Sequence, residues 1–437
     1  MGSMNAAAAP SHPLHVRNYR LYLIARFATI IGQYGLMLVI AWQAYSTARL
    51  TMDTRAAAVQ LGLIGLAQFL PLFFLTPVSG WVADHVDRRK VATLSVVLQM
   101  VCTAILGVAT HDGWVSLPLL FTIAGFLGVA RCFAGPAYSA MAPRLLPAAL
   151  VPRAIALGSL TWQAGMVTGP ALGGYLYSNQ PWLPHIMSVG MFAVAIAALF
   201  QLPSLPPTRS DERRHPIKQM LDGLVYVRTN RLVLGTITLD LMAVLLAGST
   251  ALLPIYAHDV FHAGPDALGM LAAATGIGAG LTALWFGFRP PSNNVGNRML
   301  LAVAVFGVAT ALFGSTAFMP LTVAMPVALV SLFLCGVADM YSVFVRQTLI
   351  QVYTPDEMRG RVSSVSQLTI SASNELGEAE SGFVAALIGP VTTVIAGGIG
   401  AIIVVAVWAR LFPEIGLARR FDAHNSDDHN PQQEKQA

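Results

Sequence analysis

Two apolar runs on either side of a basic loop decide the fold of this chain. Residues 59–81 read VQLGLIGLAQFLPLFFLTPVSGW, residues 84–90 read DHVDRRK, and a second apolar run follows at Val91–Ala109. A helix needs about 20 predominantly apolar residues to cross a bilayer. Both runs are close to that length, so the stretch predicts a transmembrane helical hairpin whose basic loop lies at a membrane surface.

The same pattern recurs along all 437 residues. Hydrophobic residues make up 55% of the chain and charged residues 11%, and the mean hydropathy is +0.63. A soluble domain carries about 25% charged residues, so much of this exterior must face lipid. We predict an all-α membrane protein with twelve transmembrane helices: Leu21–Tyr45, Val59–Trp81, Val91–Ala109, Leu117–Met141, Ala154–Tyr177, Leu183–Leu202, Leu232–Tyr256, Leu268–Phe288, Met299–Ala317, Val323–Ile350, Val362–Leu387 and Val391–Phe412.

The positive charges are distributed unevenly between the predicted loops. Of the 26 Lys and Arg residues, 21 fall on the side of the two termini, Arg49 and Arg55 fall on the opposite side, and Arg26, Arg131 and Arg346 lie within helices. Cytoplasmic loops carry such an excess. We therefore expect both termini in the cytoplasm and a multi-pass protein of the bacterial inner membrane. The Lys and Arg residues of the cytoplasmic loops explain the net charge of +5. The positive charge therefore does not indicate a nucleic-acid partner.

Polar interruptions divide the chain into predicted segments. Met1-Gly2-Ser3 before Met4 is typical of a tag remnant, and the linker should contain a short amphipathic helix at 217–227. The three cysteines lie within apolar runs with no metal-ligand spacing, so neither a metal nor a cofactor is expected. The segments are 1–16 (tag remnant and flexible N-terminus), 17–203 (first six-helix bundle), 204–231 (cytoplasmic linker), 232–412 (second six-helix bundle) and 413–437 (cytoplasmic tail).

An internal repeat relates residues that are 208 positions apart. Pro147–Arg153 aligns with Pro355–Arg361, and Gly174 aligns with Gly382. The fourth and fifth helices thus correspond to the tenth and eleventh. Parallel halves of this kind are typical of transporters built from two six-helix bundles.

The loop that follows the second helix resembles a signature of the major facilitator superfamily, G-x-L-x-D-R-x-G-R-R/K. Asp84 and Arg88 match its acid and base, whereas His85 and Asp87 stand where Arg and Gly are usual. An ordinary basic loop is the alternative interpretation. The resemblance implies a charge relay that gates the cytoplasmic mouth, formed by Gly80, Asp84, Arg88 and Arg89.

The fifth helix carries a second motif of the same superfamily. Gly165-Met-Val-Thr-Gly169-Pro170-Ala-Leu-Gly173-Gly174 resembles the G-x-x-x-G-P-x-x-G-G motif of antiporters and exporters. Its glycines permit close helix approach and its proline bends the helix. Tight packing without a transport role is the alternative.

A wider set of residues resembles the enterobactin-exporter group, which includes siderophore exporters and drug–proton antiporters. The resemblance covers roughly residues 15 to 415 and implies the major facilitator fold in two pseudo-symmetric halves. The stretches that carry it are Pro136–Pro143, Ala251–Pro254, Arg346–Gln351, Arg359–Val362 and Ser373–Gly377.

Several charged residues fall within the predicted helices, where each costs at least ~2.5 kcal/mol at mid-bilayer. Glu375 and Glu378 are three residues apart and share a helix face, whereas Glu380 points elsewhere. The alternative interpretation for Asp339 and Arg346 is a structural role as partners in buried salt bridges. We predict that proton coupling involves Glu375, Glu378, Asp240, Asp339 and Arg131.

Polar and aromatic residues of the helices are candidates for the wall of a substrate cavity. His258 and His262 with Asp259 form a possible metal site, although a solvated loop is the simpler interpretation. The predicted cavity residues are Gln33, Tyr138, Trp162, Tyr341, Arg346 and Asn374.

These patterns favour a monomeric secondary transporter that exports a small organic molecule, a siderophore or drug-like compound, in exchange for protons. Import of a ferric siderophore is one alternative, and a non-transporting membrane sensor or scaffold is another. No nucleophile elbow, P-loop or metal-ligand cluster indicates an enzyme. The expected partners are the substrate, protons and membrane lipid.

Overall fold

The computed structural model describes residues 12–206, 216–289, 291–419 and 421, and within these ranges the chain forms helices and no strand. Ten of the described helices are long and apolar enough to cross a membrane. The glycine-rich α5 and the acidic α13 have 29 and 33 residues and complete the set of twelve spans. The helices are α1 Arg17–Arg49, α2 Thr54–His85, α3 Arg88–Asp112, α4 Leu117–Met141, α5 Val151–Asn179, α6 Leu183–Phe200, α7 Pro216–Thr229, α8 Arg231–Leu246, α9 Leu253–Ile255, α10 Pro265–Phe288, α11 Val295–Ser315, α12 Leu321–Tyr353, α13 Asp356–Ile388, α14 Pro390–Leu411 and α15 Pro413–Leu417.

The helix ends follow the local sequence. Asp53 caps α2 by accepting a hydrogen bond from the backbone N–H of Ala56 (2.8 Å), and Asn230 caps α8 in the same way. Gly113 ends α3 with a positive φ of 77°, a conformation that favours glycine. Most helices run a few residues beyond their predicted apolar run, since the helical backbone continues past the hydrocarbon layer. The predicted span Leu117–Met141 has the same bounds as α4.

The seventh span differs from the continuous helix predicted over Leu232–Tyr256. Helix α8 ends at Leu246, and the short α9 and a π-helical turn at Tyr256–Val260 follow an irregular segment. A Cβ on Gly248 would lie 3.0 Å from the carbonyl oxygen of Gly377, so α13 approaches this segment closely. The Ser381 hydroxyl donates to the carbonyl oxygen of Gly248 (3.1 Å). Irregular backbone at membrane depth is tolerated where protein buries it or a cavity adjoins it, and both conditions hold here.

Helices α1–α6 form one bundle, and α8 to α14 form the other. The end of the molecule where α1 begins and α14 ends is called the terminal face, and the end with residues 50–53 is called the distal face. A buried cluster at the distal face contains side chains of both bundles, among them Tyr45, Leu61, Tyr256 and Leu268. The clusters near the terminal face each belong to one bundle. The two bundles are therefore joined at the distal face and separate toward the terminal face.

Two short helices lie outside the spans. The amphipathic helix predicted at 217–227 is α7, whose Tyr226 hydroxyl donates to the carbonyl oxygen of Tyr353 (3.1 Å). The first residues of the predicted tail form α15, and the N–H of Gly296 donates to the carbonyl oxygen of Ala418 (3.0 Å). Both helices thus pack against the second bundle.

Candidate functional site

A cavity of about 380 Å³ lies between the two bundles. The first bundle contributes residues of α1, α2, α4 and α5, and the second contributes residues of α8, α10, α12 and α13 together with the irregular segment after α8. Most of its wall is apolar. Its principal polar residues are Tyr34, Gln68, Arg131, Asp339, Asn374, Glu375 and Glu378.

An ion pair crosses this cavity from one bundle to the other. Nη2 of Arg131 on α4 lies 2.9 Å from Oε1 of Glu375 on α13, and Nη1 of Arg131 donates to Oε1 of Gln68 (3.1 Å). The Glu375 side chain is 7% exposed and that of Arg131 is 22% exposed. Oε2 of Glu375 has no hydrogen-bond partner among the described residues. One oxygen of this carboxylate is thus engaged with the opposite bundle, and the other is buried without a hydrogen-bond partner in the described chain.

Two further acids line the cavity without a cationic partner. Glu378 lies one turn beyond Glu375 on α13 and contacts α2, where a Cβ on Gly65 would be 3.2 Å from its Oε2. Asp339 reaches the cavity from α12. Neither acid forms an ion pair within the part of the chain that the structure describes. Four of the five residues predicted for proton coupling therefore line one cavity: Glu375, Glu378, Asp339 and Arg131.

Asp240 and Arg346 lie elsewhere, although the sequence pattern predicts a role in proton coupling for Asp240 and a place in the cavity wall for Arg346. They form an ion pair between α8 and α12 and are 6% and 1% exposed. Neither residue lines the cavity. Arg346 therefore pairs with Asp240 and not with Asp339, because this position of α12 faces α8 inside the second bundle.

The predicted aromatic cavity residues are distributed through the bundles. Of the polar and aromatic candidates, Asn374 lines the cavity, and Tyr34 lies there in place of its neighbour Gln33. The Trp162 ring packs edge-to-face against the Tyr34 ring, and the two ring centroids are 5.8 Å apart. Tyr138 hydrogen-bonds Thr29 within the first bundle, and Tyr341 packs against Phe286 within the second.

The predicted gating loop is anchored to its own bundle. Asp87 caps α3 and accepts hydrogen bonds from the Ser204 hydroxyl and from the N–H groups of Arg89 and Leu205. Burial acts to raise the pKa of Asp87, but these hydrogen bonds outweigh it and hold that pKa below its usual range. The Arg89 guanidinium donates to the carbonyl oxygen of Leu202. Acid and base thus attach this loop to the end of α6.

Gly80, Arg88 and Asp84 are the other residues of the predicted gating set. A Cβ added at Gly80 would meet no atom within 4 Å. The N–H of Arg88 donates to the carbonyl oxygen of Leu205 (3.3 Å). The side chain of Asp84 lies outside the described part of the structure.

The glycines of the α5 motif face two different partners. Gly165, Gly169 and Gly173 pack against α1 within the first bundle, and Pro170 lines the cavity. Gly174 faces α10 of the second bundle, where its Cβ would lie 2.9 Å from Cα of Gly269. Its repeat counterpart Gly382 makes the corresponding contact, since its Cβ would lie 2.7 Å from Cα of Gly62.

A polar cluster at the distal face also joins the bundles, a role that the sequence pattern does not predict for its residues. Asp259 accepts hydrogen bonds from the hydroxyls of Tyr45 (2.6 Å) and Thr54 (2.7 Å), and lies 3.4 Å from Nε of Arg49. His258 contacts the other carboxylate oxygen at 2.6 Å. No group of three or more His, Cys, Asp or Glu side chains suited to a metal occurs in the described ranges. The sequence gives no signal for this cluster, because Arg49 and Asp259 lie far apart along the chain and other acids occupy the same side.

Known proteins share both the sequence pattern and the architecture. A profile of the Major Facilitator Superfamily matches residues 22–378. The Enterobactin exporter EntS of Shigella boydii serotype 18 is 27% identical over 411 residues, 92% of each chain, and that of Escherichia coli O1:K1 / APEC matches equally. A crystal structure of a POT family transporter in complex with 5-aminolevulinic acid has a TM-score of 0.70 at 14% identity, covering 91% of this chain and 96% of its own. That likeness shows the fold.

Proposed function

This chain belongs to the major facilitator superfamily, and from that premise we propose that it exports a small organic molecule, a siderophore or drug-like compound, in exchange for protons. It is a multi-pass membrane transporter and not an enzyme. The observation that carries the proposal is the set of acids in the cavity between the bundles, Glu375, Glu378 and Asp339.

The position of these acids suits coupling by alternating access. A carboxylate in a membrane protein usually faces a cavity, pairs with a cation or carries a proton. Glu375 pairs with Arg131 of the opposite bundle, so rocking of one bundle against the other changes its environment directly. Glu378, three residues away, has no such partner in the described chain. We propose that this pair of glutamates takes up protons from one side and releases them to the other as substrate moves outward.

Two observations support export over import. The α5 motif Gly165–Gly174 resembles that of antiporters and exporters, and its Gly174 lies at the contact between bundles. The proteins named Enterobactin exporter EntS match 92% of the chain. At 27% identity they support the direction of transport and not the identity of the substrate.

We further propose that the terminal face is cytoplasmic and that the protein works as a monomer in the bacterial inner membrane. The Lys and Arg residues of the loops concentrate on this side. Because the buried cluster of both bundles lies at the distal face, the described conformation is closed to the outside and faces inward.

Purified protein in proteoliposomes tests the proposal. We expect an imposed pH gradient to drive movement of enterobactin or of a fluorescent drug such as ethidium, and substrate addition to move protons, followed with an internal pH dye. Glu375→Gln and Glu378→Gln should lower this coupled flux by about tenfold or more. Glu380→Gln, on the same helix but outside the cavity wall, is the matched control.

Transport that ignores the pH gradient and stays unchanged in both glutamate variants would contradict proton coupling. Substrate movement that occurs only down its own concentration gradient, and only toward the side that corresponds to the cytoplasm, would instead favour import.

A further inference from the structure

The charge of the cavity points to the class of its cargo. We propose that the transported molecule is an organic cation with an apolar body, and that Glu378, Asp339 and the free oxygen of Glu375 bind its positive group. This deepens the proposed function, because it concerns the same cavity and rests on that cavity being the transport site.

The charged wall of the cavity carries more acids than bases. Arg131 is the cation among the described lining residues, and Glu375 already pairs with it at 2.9 Å. Glu378 and Asp339 form no ion pair in the described chain, although the Arg131 guanidinium also attracts the Glu378 carboxylate. A buried carboxylate that lacks a partner is costly unless it takes up a proton or a cation. The cavity is therefore matched to positive charge.

Glu375 supplies an independent indication of a missing partner. The residue is 5% exposed and lines the cavity, and its Oε2 accepts no hydrogen bond from any described group. An unsatisfied carboxylate oxygen at this depth is an acceptor that lacks a donor. A cationic group beside this oxygen compensates its negative charge, and an anionic group does not.

The break in the seventh span places a helix C-terminus beside the same cavity. Val244 and Gly248, on either side of the end of α8 at Leu246, both line the wall. The C-terminal end of a helix carries a partial negative charge and favours cations. The helix end therefore adds to the effect of the acids.

The rest of the wall suits a nonpolar body. Met37 and Met166 of the first bundle both line the cavity among mostly apolar residues, and methionine adapts to varied shapes. The ring of Tyr34 also lines the cavity, and an aromatic face attracts a cation at close range. A volume of about 380 Å³ accommodates a compound of drug size.

Two ions of nearly the same size and shape but opposite charge provide the test. Binding of tetraphenylphosphonium and of tetraphenylborate to the full-length protein in detergent would be measured by equilibrium dialysis. We expect the cation to bind and the anion to bind at least about tenfold more weakly. Glu378→Gln and Asp339→Asn should each weaken cation binding by about tenfold, whereas Glu378→Asp, which keeps the charge, and the control Glu380→Gln should retain most of it.

Size-exclusion profiles establish that each variant is folded. Preferential binding of tetraphenylborate, or cation binding that is unchanged in both acid-to-amide variants, would overturn the inference. This outcome is separable from failure of the proposed function: proton-driven export of an anionic compound without cation binding refutes only the cargo class. Cation binding without any movement along a pH gradient refutes only the coupling.

Discussion

Individual charged residues within the membrane helices serve two structurally different purposes. Glu375, Glu378 and Asp339 line the cavity between the bundles. Asp240 and Arg346 are enclosed in the second bundle and pair with each other. Nε and Nη2 of Arg346 have no further hydrogen-bond partner in the described ranges. A buried pair of this kind adds little stability overall, but loss of one member leaves the other charge unpaired.

Replacement of one member of this pair should therefore destabilise the protein. We expect Arg346→Met to lower the stability by about 3–5 kcal/mol, because Asp240 then stays buried without a counter-charge. Thermal unfolding in detergent measures the effect as a lower Tm. The double variant Asp240→Leu with Arg346→Met should recover most of the loss, since no charge remains. A double variant as unstable as the single one would show that packing, not charge, is responsible.

At the scale of helices, glycines set how closely the two bundles approach. Gly174 on α5 meets Gly269 on α10, and its repeat counterpart Gly382 on α13 meets Gly62 on α2. The two contacts are equivalent under the internal repeat and both lie toward the distal face. Small residues at such positions allow backbones to touch.

A larger side chain at this contact should force the bundles apart. We expect Gly174→Val to cost about 1–3 kcal/mol in the distal-closed state, because its Cβ would meet the backbone of α10. The transport rate and the Tm should both fall. Gly190→Val is the matched control, since no atom lies within 4 Å of a Cβ at that position of α6. Equal losses of transport rate and Tm in the two variants would show that the effect comes from helix propensity and not from the contact between the bundles.

At the scale of the whole molecule, the distal face must open for a substrate to leave by that side. Asp259 of the second bundle is held there by Tyr45 and Thr54 of the first. The same carboxylate lies 3.4 Å from Arg49. These contacts and the shared apolar cluster keep the present conformation closed.

A covalent link across the closed face should stop transport. In the double variant Thr54→Cys with Asp259→Cys, a short thiol cross-linker should arrest flux in proteoliposomes, and a cleavable linker followed by reductant should restore it. The hydroxyl and carboxylate oxygens are 2.7 Å apart in this state. The native cysteines Cys102, Cys132 and Cys335 are buried. Each single-cysteine variant treated alike is the control, and flux that persists after complete cross-linking would exclude opening at this face.

Local patterns in the sequence predict the membrane class, the twelve spans, the two related halves and the amphipathic helix that is α7. These features depend on local hydrophobicity, on charge in the loops and on spacing along the chain, which a single sequence records directly. It also singled out Glu375, Glu378, Asp339 and Arg131. Charges are so costly in lipid that their presence in apolar runs is itself a signal.

The partners of those charges and the shape of the seventh span depend on packing between helices and are not predicted by local patterns. Which acid meets Arg346, and whether Gln33 or Tyr34 faces the cavity, depends on the rotation of each helix against neighbours far away in the chain. Helix α8 ends at Leu246, and α13 packs closely on Gly248 just beyond it, a contact between residues far apart in the chain. Side-chain partners between bundles are properties of packing, and packing is settled only when all the helices are in place.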